Sequence, residues 1–108
     1  MDKIHIALST NQIEESVTDY SKRLNTVPCV HVPNEYALWR TTTVNLSIRH
    51  DPNCESGALR HLGWESDGAD TFTAETDING ITWEHFNAEL QADEINKAWP
   101  KASYHPKT

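Results

Sequence analysis

Three ionisable residues lie near the centres of three segments that alternate apolar and polar side chains: His5, His61 and Glu84. An imidazole or carboxylate in the middle of a strand needs a partner, because burying an unpaired polar group costs free energy. Two imidazoles and one carboxylate suit Fe(II), Mn(II), Ni(II), Co(II) or Zn(II), and they leave coordination positions open for water or substrate. The set therefore predicts a mononuclear divalent metal site. The alternative is that each histidine is a partly buried polar side chain with no ligand role.

Two further residues are candidates for substrate binding. Tyr36 and Arg49 would line a cleft beside such a site, where a phenol and a guanidinium group bind an anionic substrate. The alternative for Arg49, which ends a predicted strand, is a solvated side chain. The sequence contains no nucleophile elbow, Walker loop, Rossmann glycine pattern or HExxH sequence. The other four histidines are expected on the surface or in loops: His31, His50, His85 and His105.

The first half of the chain predicts the order strand, helix, strand, strand, strand. Residues Lys3–Ser9 alternate apolar and polar side chains, as a strand does. A helix from about Gln12 to Leu24 follows, with acidic residues in its first turn and basic residues in its last. The three β-rich stretches after it are Val30–Val32, Tyr36–Arg40 and Thr43–Arg49.

The second half predicts mostly strands. Regular alternation along the strand Ala58–Glu65 places His61 and Gly63 on one face and Arg60 on the other. An Asn-Gly pair further along is a strong hairpin signal. The remaining predicted elements are the hairpin strands Thr71–Thr76 and Ile81–Phe86 and a short helix from Glu89 to Ala98.

The composition describes a single globular domain over residues 1–108. The chain has 9 basic and 16 acidic residues, which gives a formal charge of −7. A negative protein repels phosphate backbones, so no nucleic-acid partner is expected. The apolar runs are too short to cross a membrane, and the first residues lack the basic and apolar regions of a secretion signal. We therefore expect a cytoplasmic protein that binds neither nucleic acid nor membrane.

Three ordered segments of the chain, within residues 3–87, resemble the vicinal oxygen chelate superfamily, which includes glyoxalase I, bleomycin-resistance proteins and extradiol dioxygenases. The segments are IHIALSTNQIEESVTDYSKRLN, ALRHLGWE and DINGITWEHF. The resemblance implies an α+β fold of paired βαβββ modules that form a curved sheet around a cleft. The first module would cover 3–50 and the second 58–99, followed by a tail over 100–108. It also implies that His5, His61 and Glu84 are the ligands of a divalent metal.

The chain departs from that superfamily in two places. Glyoxalases of the superfamily add a carboxylate on the last strand of the first module, but the stretch Val44–Ile48 contains none. This difference favours a three-residue ligand set. Only residues 66–70 occupy the place of the helix in the second module, so that module is truncated and one sheet face needs a cover. Either the helix Glu89–Ala98 or a second chain would cover it, and we expect a homodimer.

The resemblance implies a metal-dependent lyase or dioxygenase that acts on a small-molecule substrate in a His-His-Glu cleft. The first alternative is a metal-free, bleomycin-resistance-like dimer that binds a small molecule without turnover. The second alternative is a shortened domain that acts through its dimer surface. Metal analysis separates the enzyme from the two alternatives, and ligand-dependent thermal stability separates those two from each other.

Overall fold

The protein has the predicted α+β fold, in which two helices pack on one mixed sheet. The computed structural model describes residues 2–106. Its elements are β1 (Lys3–Thr10), α1 (Ile13–Arg23), β2 (Val30–Val32), β3 (Tyr36–Arg40), β4 (Val44–His50), β5 (Ala58–Glu65), β6 (Thr73–Thr76), β7 (Thr82–Phe86), α2 (Ala88–Ala98) and a 3-10 turn (Pro100–Ala102). The strand order is β2-β3-β4-β1-β5-β7-β6, and the curved sheet does not close into a barrel. Within residues 2–106, neither helix is long and apolar enough to cross a membrane.

The first half forms a complete βαβββ unit. β1 pairs in parallel with β4, and β3 and β2 add to β4 as antiparallel neighbours. α1 makes the crossover and packs its apolar stripe on one face of the sheet. The cluster beneath it contains Ile13 from the helix and Ala37, Trp39 and Ile48 from the strands, all buried.

The second half repeats the strand pairing of the first without its helix. β5 pairs with β7 in parallel, as β1 does with β4, and β6 adds to β7 as β3 does to β4. β1 and β5 join the halves as antiparallel neighbours, with Ile6 opposite Leu62. A local twofold axis through this pair relates residues that are 56 positions apart, and His5 and His61 are such a pair.

Helix α2 folds back over the sheet, on the face opposite α1. Its first turn is capped by Asn87, whose side chain accepts a hydrogen bond from the Leu90 amide. Ile95 of α2 packs in one buried cluster with Tyr36 and Leu38 of β3. Tyr104 joins the same cluster, so the predicted tail is packed at that residue. The helix therefore covers the first half of the sheet rather than the truncated second half.

One face of the second half has no helix over it within residues 2–106. Trp64 is 44% exposed there, and Ile4, Ile6 and Leu62 are only half-buried. On the other face of β1, His5 is 3% exposed. At β1 the face that carries His5 and lies beneath α2 is thus more completely buried than the face that carries Ile4 and Ile6.

Candidate metal centre

His5, His61 and Glu84 converge on one point of the buried sheet face. One ligand atom from each residue lies within 4.8 Å of the others. Nε2 of His61 is 3.0 Å from Nε2 of His5 and 2.9 Å from Oε1 of Glu84. The third distance, between Nε2 of His5 and the same carboxylate oxygen, is 3.9 Å. The three residues that the sequence predicted as ligands are therefore neighbours in space.

The strand register explains why they meet. His5 lies opposite Gly63 and Ala7 lies opposite His61, so the two imidazoles are diagonal neighbours on one face of β1 and β5. Gly63 in turn pairs with Glu84 across β5 and β7. A Cβ atom on Gly63 would overlap the backbone carbonyl oxygen of Glu84. The glycine is thus what lets β7 approach closely enough to place the carboxylate beside the imidazoles.

The local twofold axis identifies the residue that stands where a fourth ligand would be. Glu84 pairs with Gly63, and the equivalent residue of the first half, which pairs with Ala7, is Ser47. The Ser47 hydroxyl accepts a hydrogen bond from Nη2 of Arg60 at 3.2 Å. The position in the first half that corresponds to Glu84 therefore carries a hydroxyl group rather than a second carboxylate.

A buried asparagine fixes the tautomer of His5. Nδ1 of His5 lies 2.8 Å from Oδ1 of Asn45 and 3.1 Å from its backbone oxygen. Both partners are oxygen atoms that only accept, so the proton of the neutral imidazole must be on Nδ1. Nε2 of His5 then carries a lone pair, which accepts a hydrogen bond from Nε2 of His61 at 3.0 Å. This is the form of histidine that binds a metal through Nε2.

The orientation of Asn45 is fixed in turn by a buried ion pair. Nδ2 of Asn45 donates to Oε1 of Glu65 at 2.9 Å, and a carboxylate cannot return a proton to it. Asn45 also forms a reciprocal amide pair with Gln91 of α2, at 2.8 and 3.0 Å. Arg40 holds Glu65 through two hydrogen bonds, at 2.9 and 2.8 Å. A continuous chain of hydrogen bonds therefore runs from Arg40 to His5.

The charge states of this chain follow from burial and pairing. Burial lowers the pKa of His5, and the nearby His61 lowers it further, against opposing hydrogen bonds from Asn45. Burial raises the pKa of Glu65, but the hydrogen bonds from Arg40 and Asn45 outweigh it and leave that pKa below its ordinary value. His5 is therefore neutral and Glu65 is ionised near pH 7. A neutral imidazole is the form of His5 that could bind a metal ion.

The donor spacing is close to what one divalent ion requires. Nitrogen and oxygen ligands bind such ions at about 2.1 Å, so neighbouring ligand atoms lie about 3.0 to 3.4 Å apart around one centre. Of the two separations at His61, that of 3.0 Å to His5 lies in this range, and that of 2.9 Å to Glu84 lies just below it. The separation between His5 and Glu84 is 3.9 Å, so the Glu84 carboxylate, which is 20% exposed, would have to move closer to His5 for all three residues to bind one ion.

A cavity of about 320 Å³ adjoins the three residues, between the sheet and α2. Both predicted substrate-binding residues, Tyr36 and Arg49, line it. The Tyr36 ring stacks on Trp99 with ring centroids 4.5 Å apart. Burial raises the pKa of Tyr36 to about 12, so its phenol is protonated at neutral pH. Phe72 and Phe86, which stack on each other, line the same cavity.

Arg60 also lines this cavity, and the expectation that it lies on the opposite face from His61 was wrong. The pairing of β1 with β5 shifts between Ala7 and Leu8, whose partners are His61 and Leu59. Arg60 is the extra residue of this β-bulge, so it and His61 both face the cavity. The alternation of apolar and polar residues along one strand cannot reveal a β-bulge. A bulge is a shift in the pairing of that strand with another strand, which is distant in the sequence.

The four remaining histidines are all exposed, as predicted. His31 makes an ion-pair contact with Glu14 on α1, with Nε2 and Oε2 3.0 Å apart. This contact is on the outer surface of the first half. The exposed residues of this group are His31, His50, His85 and His105.

The chain matches no model of a protein family and no curated protein sequence. The similarity to the vicinal oxygen chelate superfamily therefore depends on the three sequence segments given above and stays a prediction. The candidate centre consists of the convergent His5, His61 and Glu84, the hydrogen-bonded residues behind His5 and the adjoining cavity.

Proposed function

We propose that this protein is a metal-dependent enzyme that acts on a small molecule, as a lyase or a dioxygenase. The observation that carries the proposal is the convergence of His5, His61 and Glu84 with the His5 proton held on Nδ1 by Asn45. Two neutral imidazoles and one carboxylate form a ligand set for Fe, Mn, Ni, Co or Zn. The resemblance to glyoxalases and extradiol dioxygenases supports the same type of site.

A divalent ion held by these residues would act as a Lewis acid towards two neighbouring oxygen atoms of a substrate, or activate dioxygen if it is iron. The protein residues orient the metal ligands and limit the access of water to the cavity. Asn45 keeps Nε2 of His5 free for binding, and α2 closes one side of the cavity. Phe72 and Phe86 give the cavity an apolar wall that limits access of water.

Metal titration tests this proposal. Protein purified without a histidine tag is titrated with Mn(II), Co(II), Ni(II) and Zn(II), and anaerobically with Fe(II), in a calorimeter. We expect at least one ion to bind with a stoichiometry of one. The affinity should fall by at least 100-fold in His61→Ala, and it should also weaken as the pH falls through the imidazole range.

The exposed histidines provide matched controls. His31→Ala, His50→Ala and His105→Ala remove the same side chain from the surface, and each should bind the metal as tightly as the parent protein does. Equal affinity in His61→Ala and in the parent protein would contradict the metal site.

The second candidate is a metal-free protein that binds a small molecule as a dimer, as bleomycin-resistance proteins do. The aromatic lining of the cavity favours it, since Tyr36, Phe72, Phe86 and Trp99 provide stacking surfaces. A screen of aromatic ligands by thermal stability, with a chelator present, distinguishes the two functions. Ligand binding that is unchanged by His61→Ala and by added metal would favour this second function.

A further inference from the structure

Two guanidinium groups face the cavity beside the candidate metal centre. Arg60 comes from the bulge of β5 and Arg49 from the end of β4. Neither forms an ion pair with any carboxylate in residues 2–106. Arg40, on the same sheet face, is by contrast bound by Glu65 through two hydrogen bonds. The cavity thus contains positive charge that no protein group neutralises directly.

Two hydrogen bonds position the Arg60 guanidinium and leave some of its N–H donors unused. Its Nε donates to the carbonyl oxygen of Leu8 at 3.2 Å, and its Nη2 donates to the Ser47 hydroxyl at 3.2 Å. A guanidinium group has five N–H donors, so three remain unused by these bonds. Burial lowers the pKa of Arg60, and the charge of Arg49 does so as well, yet a guanidinium remains charged in proteins. A partly buried cation with free donors favours an anion.

Arg49 is positioned by an aromatic ring instead of by an acid. Its guanidinium carbon lies 5.3 Å from the centroid of the Trp99 ring, which stacks on Tyr36. A cation–π contact orients the guanidinium plane and leaves its N–H donors available. The ring itself is held by a hydrogen bond from Nε1 of Trp99 to Glu35 at 3.2 Å.

The charge balance of the cavity agrees with an anionic ligand. Its lining includes Arg49 and Arg60, and also the carboxylates of Glu84 and Glu94. Glu84 is engaged by His61, and Glu94 is exposed on α2. The two arginines balance the two carboxylates, so a bound divalent ion would leave the cavity with a net positive charge. A ligand with two negative charges would then neutralise it, and a ligand with one negative charge would halve it.

We propose that Arg60 and Arg49 bind the oxyanion of the substrate, which is a small organic acid whose other oxygen group faces His5, His61 and Glu84. The acid is a carboxylate or a phosphonate-type compound, because both present the oxygen pair that a guanidinium fork matches. The aromatic lining accepts the carbon skeleton of such a molecule. This inference rests on the proposed function in two respects, namely the second contact at the metal centre and the net positive charge that a bound divalent ion would give the cavity.

Calorimetric titration of the metal-free protein tests the arginine pair. The probes are benzoate, phenylphosphonate and the uncharged benzyl alcohol, each with a chelator present. We expect at least one anion to bind ten or more times as tightly as the alcohol. The stronger of the two anions identifies the type of acid. Arg49→Gln and Arg60→Gln should each weaken binding of that anion at least tenfold.

Two further variants serve as a control and as a substitute for a variant that does not fold. Arg23→Gln removes an exposed arginine on α1, which is paired with Asp19, and should bind the anion like the parent protein. Arg60→Lys keeps the charge and loses the fork, so it covers the case in which Arg60→Gln does not fold. Anion affinity that is unchanged in both Arg49→Gln and Arg60→Lys, or equal for the anions and the alcohol, would overturn the proposal.

Measuring metal binding and anion binding separately distinguishes failure of this inference from failure of the proposed function. Arg49→Gln should bind metal as tightly as the parent protein, because Arg49 is not among the candidate ligands. Loss of the metal site alone would leave anion binding by the metal-free protein intact. If the protein does not bind the anions, the loss of metal affinity in His61→Ala would still be observed.

Discussion

The Nδ1 atom of His5 and the Oδ1 atom of Asn45 lie 2.8 Å apart, on paired positions of two parallel strands. This hydrogen bond is buried, and it links the candidate metal centre to the Arg40–Glu65 ion pair. Hydrogen-bond partners of metal ligands typically affect metal affinity 10- to 100-fold, because they fix the ring and its tautomer. The asparagine is therefore a positioning residue for the centre.

Replacement of Asn45 by alanine should weaken metal binding by about 10- to 100-fold. The loss follows because the side-chain acceptor at 2.8 Å is gone, and only the backbone oxygen of residue 45, at 3.1 Å, then holds the His5 proton on Nδ1. The measurement is competition with a chelating dye, accompanied by circular dichroism to verify the fold. Asn53→Ala, in the exposed loop after β4, is the control and should leave the affinity unchanged. Equal affinities in the two variants would contradict a positioning role.

Gly63→Ala should disturb both stability and the centre. The added Cβ would overlap the Glu84 carbonyl oxygen, so β7 must move away from β5. Overpacking of this kind costs about 1–3 kcal/mol in the free energy of unfolding. We expect a lower unfolding midpoint in urea and weaker metal binding. Gly68→Ala is the matched control, because a Cβ there meets open space. Parent-like metal affinity in Gly63→Ala would show that the close approach does not position Glu84.

The free energy of unfolding should fall in acid because of Glu65. Hydrogen bonds from Arg40 and Asn45, acting against burial, hold its pKa below the ordinary value of 4.5. At a pH between the pKa of Glu65 in the folded protein and its pKa of about 4.5 in the unfolded chain, the unfolded chain binds more protons than the folded one. The contribution of Glu65 is therefore full above about pH 4.5 and is lost as the pH falls through the folded-state pKa.

Urea unfolding between pH 7 and pH 3 measures this effect. Glu65→Gln should be less stable at pH 7, because the Arg40 guanidinium loses the carboxylate that accepts two of its hydrogen bonds, at a cost of about 3 kcal/mol. Its stability should depend less on pH than that of the parent protein. The exposed Glu55→Gln should reproduce the parent profile. Parallel profiles for the parent and Glu65→Gln would contradict the assignment.

We expect the protein to be a homodimer in solution. The uncovered face of the second half presents Trp64, with Leu62 and the β1 isoleucines beside it. Apolar surface of this kind tends to be covered by a partner. Light scattering at micromolar concentration should give the mass of two chains, and Trp64→Glu should shift the protein to the monomer. Ile78→Glu, at a 99% exposed position between β6 and β7, is the control and should remain dimeric. A parent protein that is monomeric under these conditions would disprove the expectation.

Much of the fold could be predicted because the relevant signals are local. The strands Tyr36–Arg40 and Ala58–Glu65 have the predicted bounds, since alternation and flanking turns define them within a few residues. The hairpin prediction was confirmed at Gly80, whose φ of 79° is easily adopted by glycine. The ligand candidates were found for the same reason, as ionisable residues at strand centres.

The rest of the site depends on contacts between distant parts of the chain. Gln91 reaches Asn45 from a helix 46 residues away, and nothing in its local sequence indicates that pairing. Asn45 did carry a signal, because it is an amide at the buried position of an apolar strand. The position of α2 over the first half also follows from tertiary packing, which periodicity does not specify. The inserted residue at Arg60 is visible only once β1 is aligned against β5.

The bulge at Arg60 also determines whether the site can distinguish the two ends of a bound molecule. His5 and His61 are related by the local twofold axis, so on their own they would present the same surroundings to either end. The inserted residue occurs in β5 and has no counterpart in β1, so the Arg60 guanidinium makes the two sides of the cavity different. An unsymmetrical molecule would therefore meet different surroundings at its two ends and bind in one orientation.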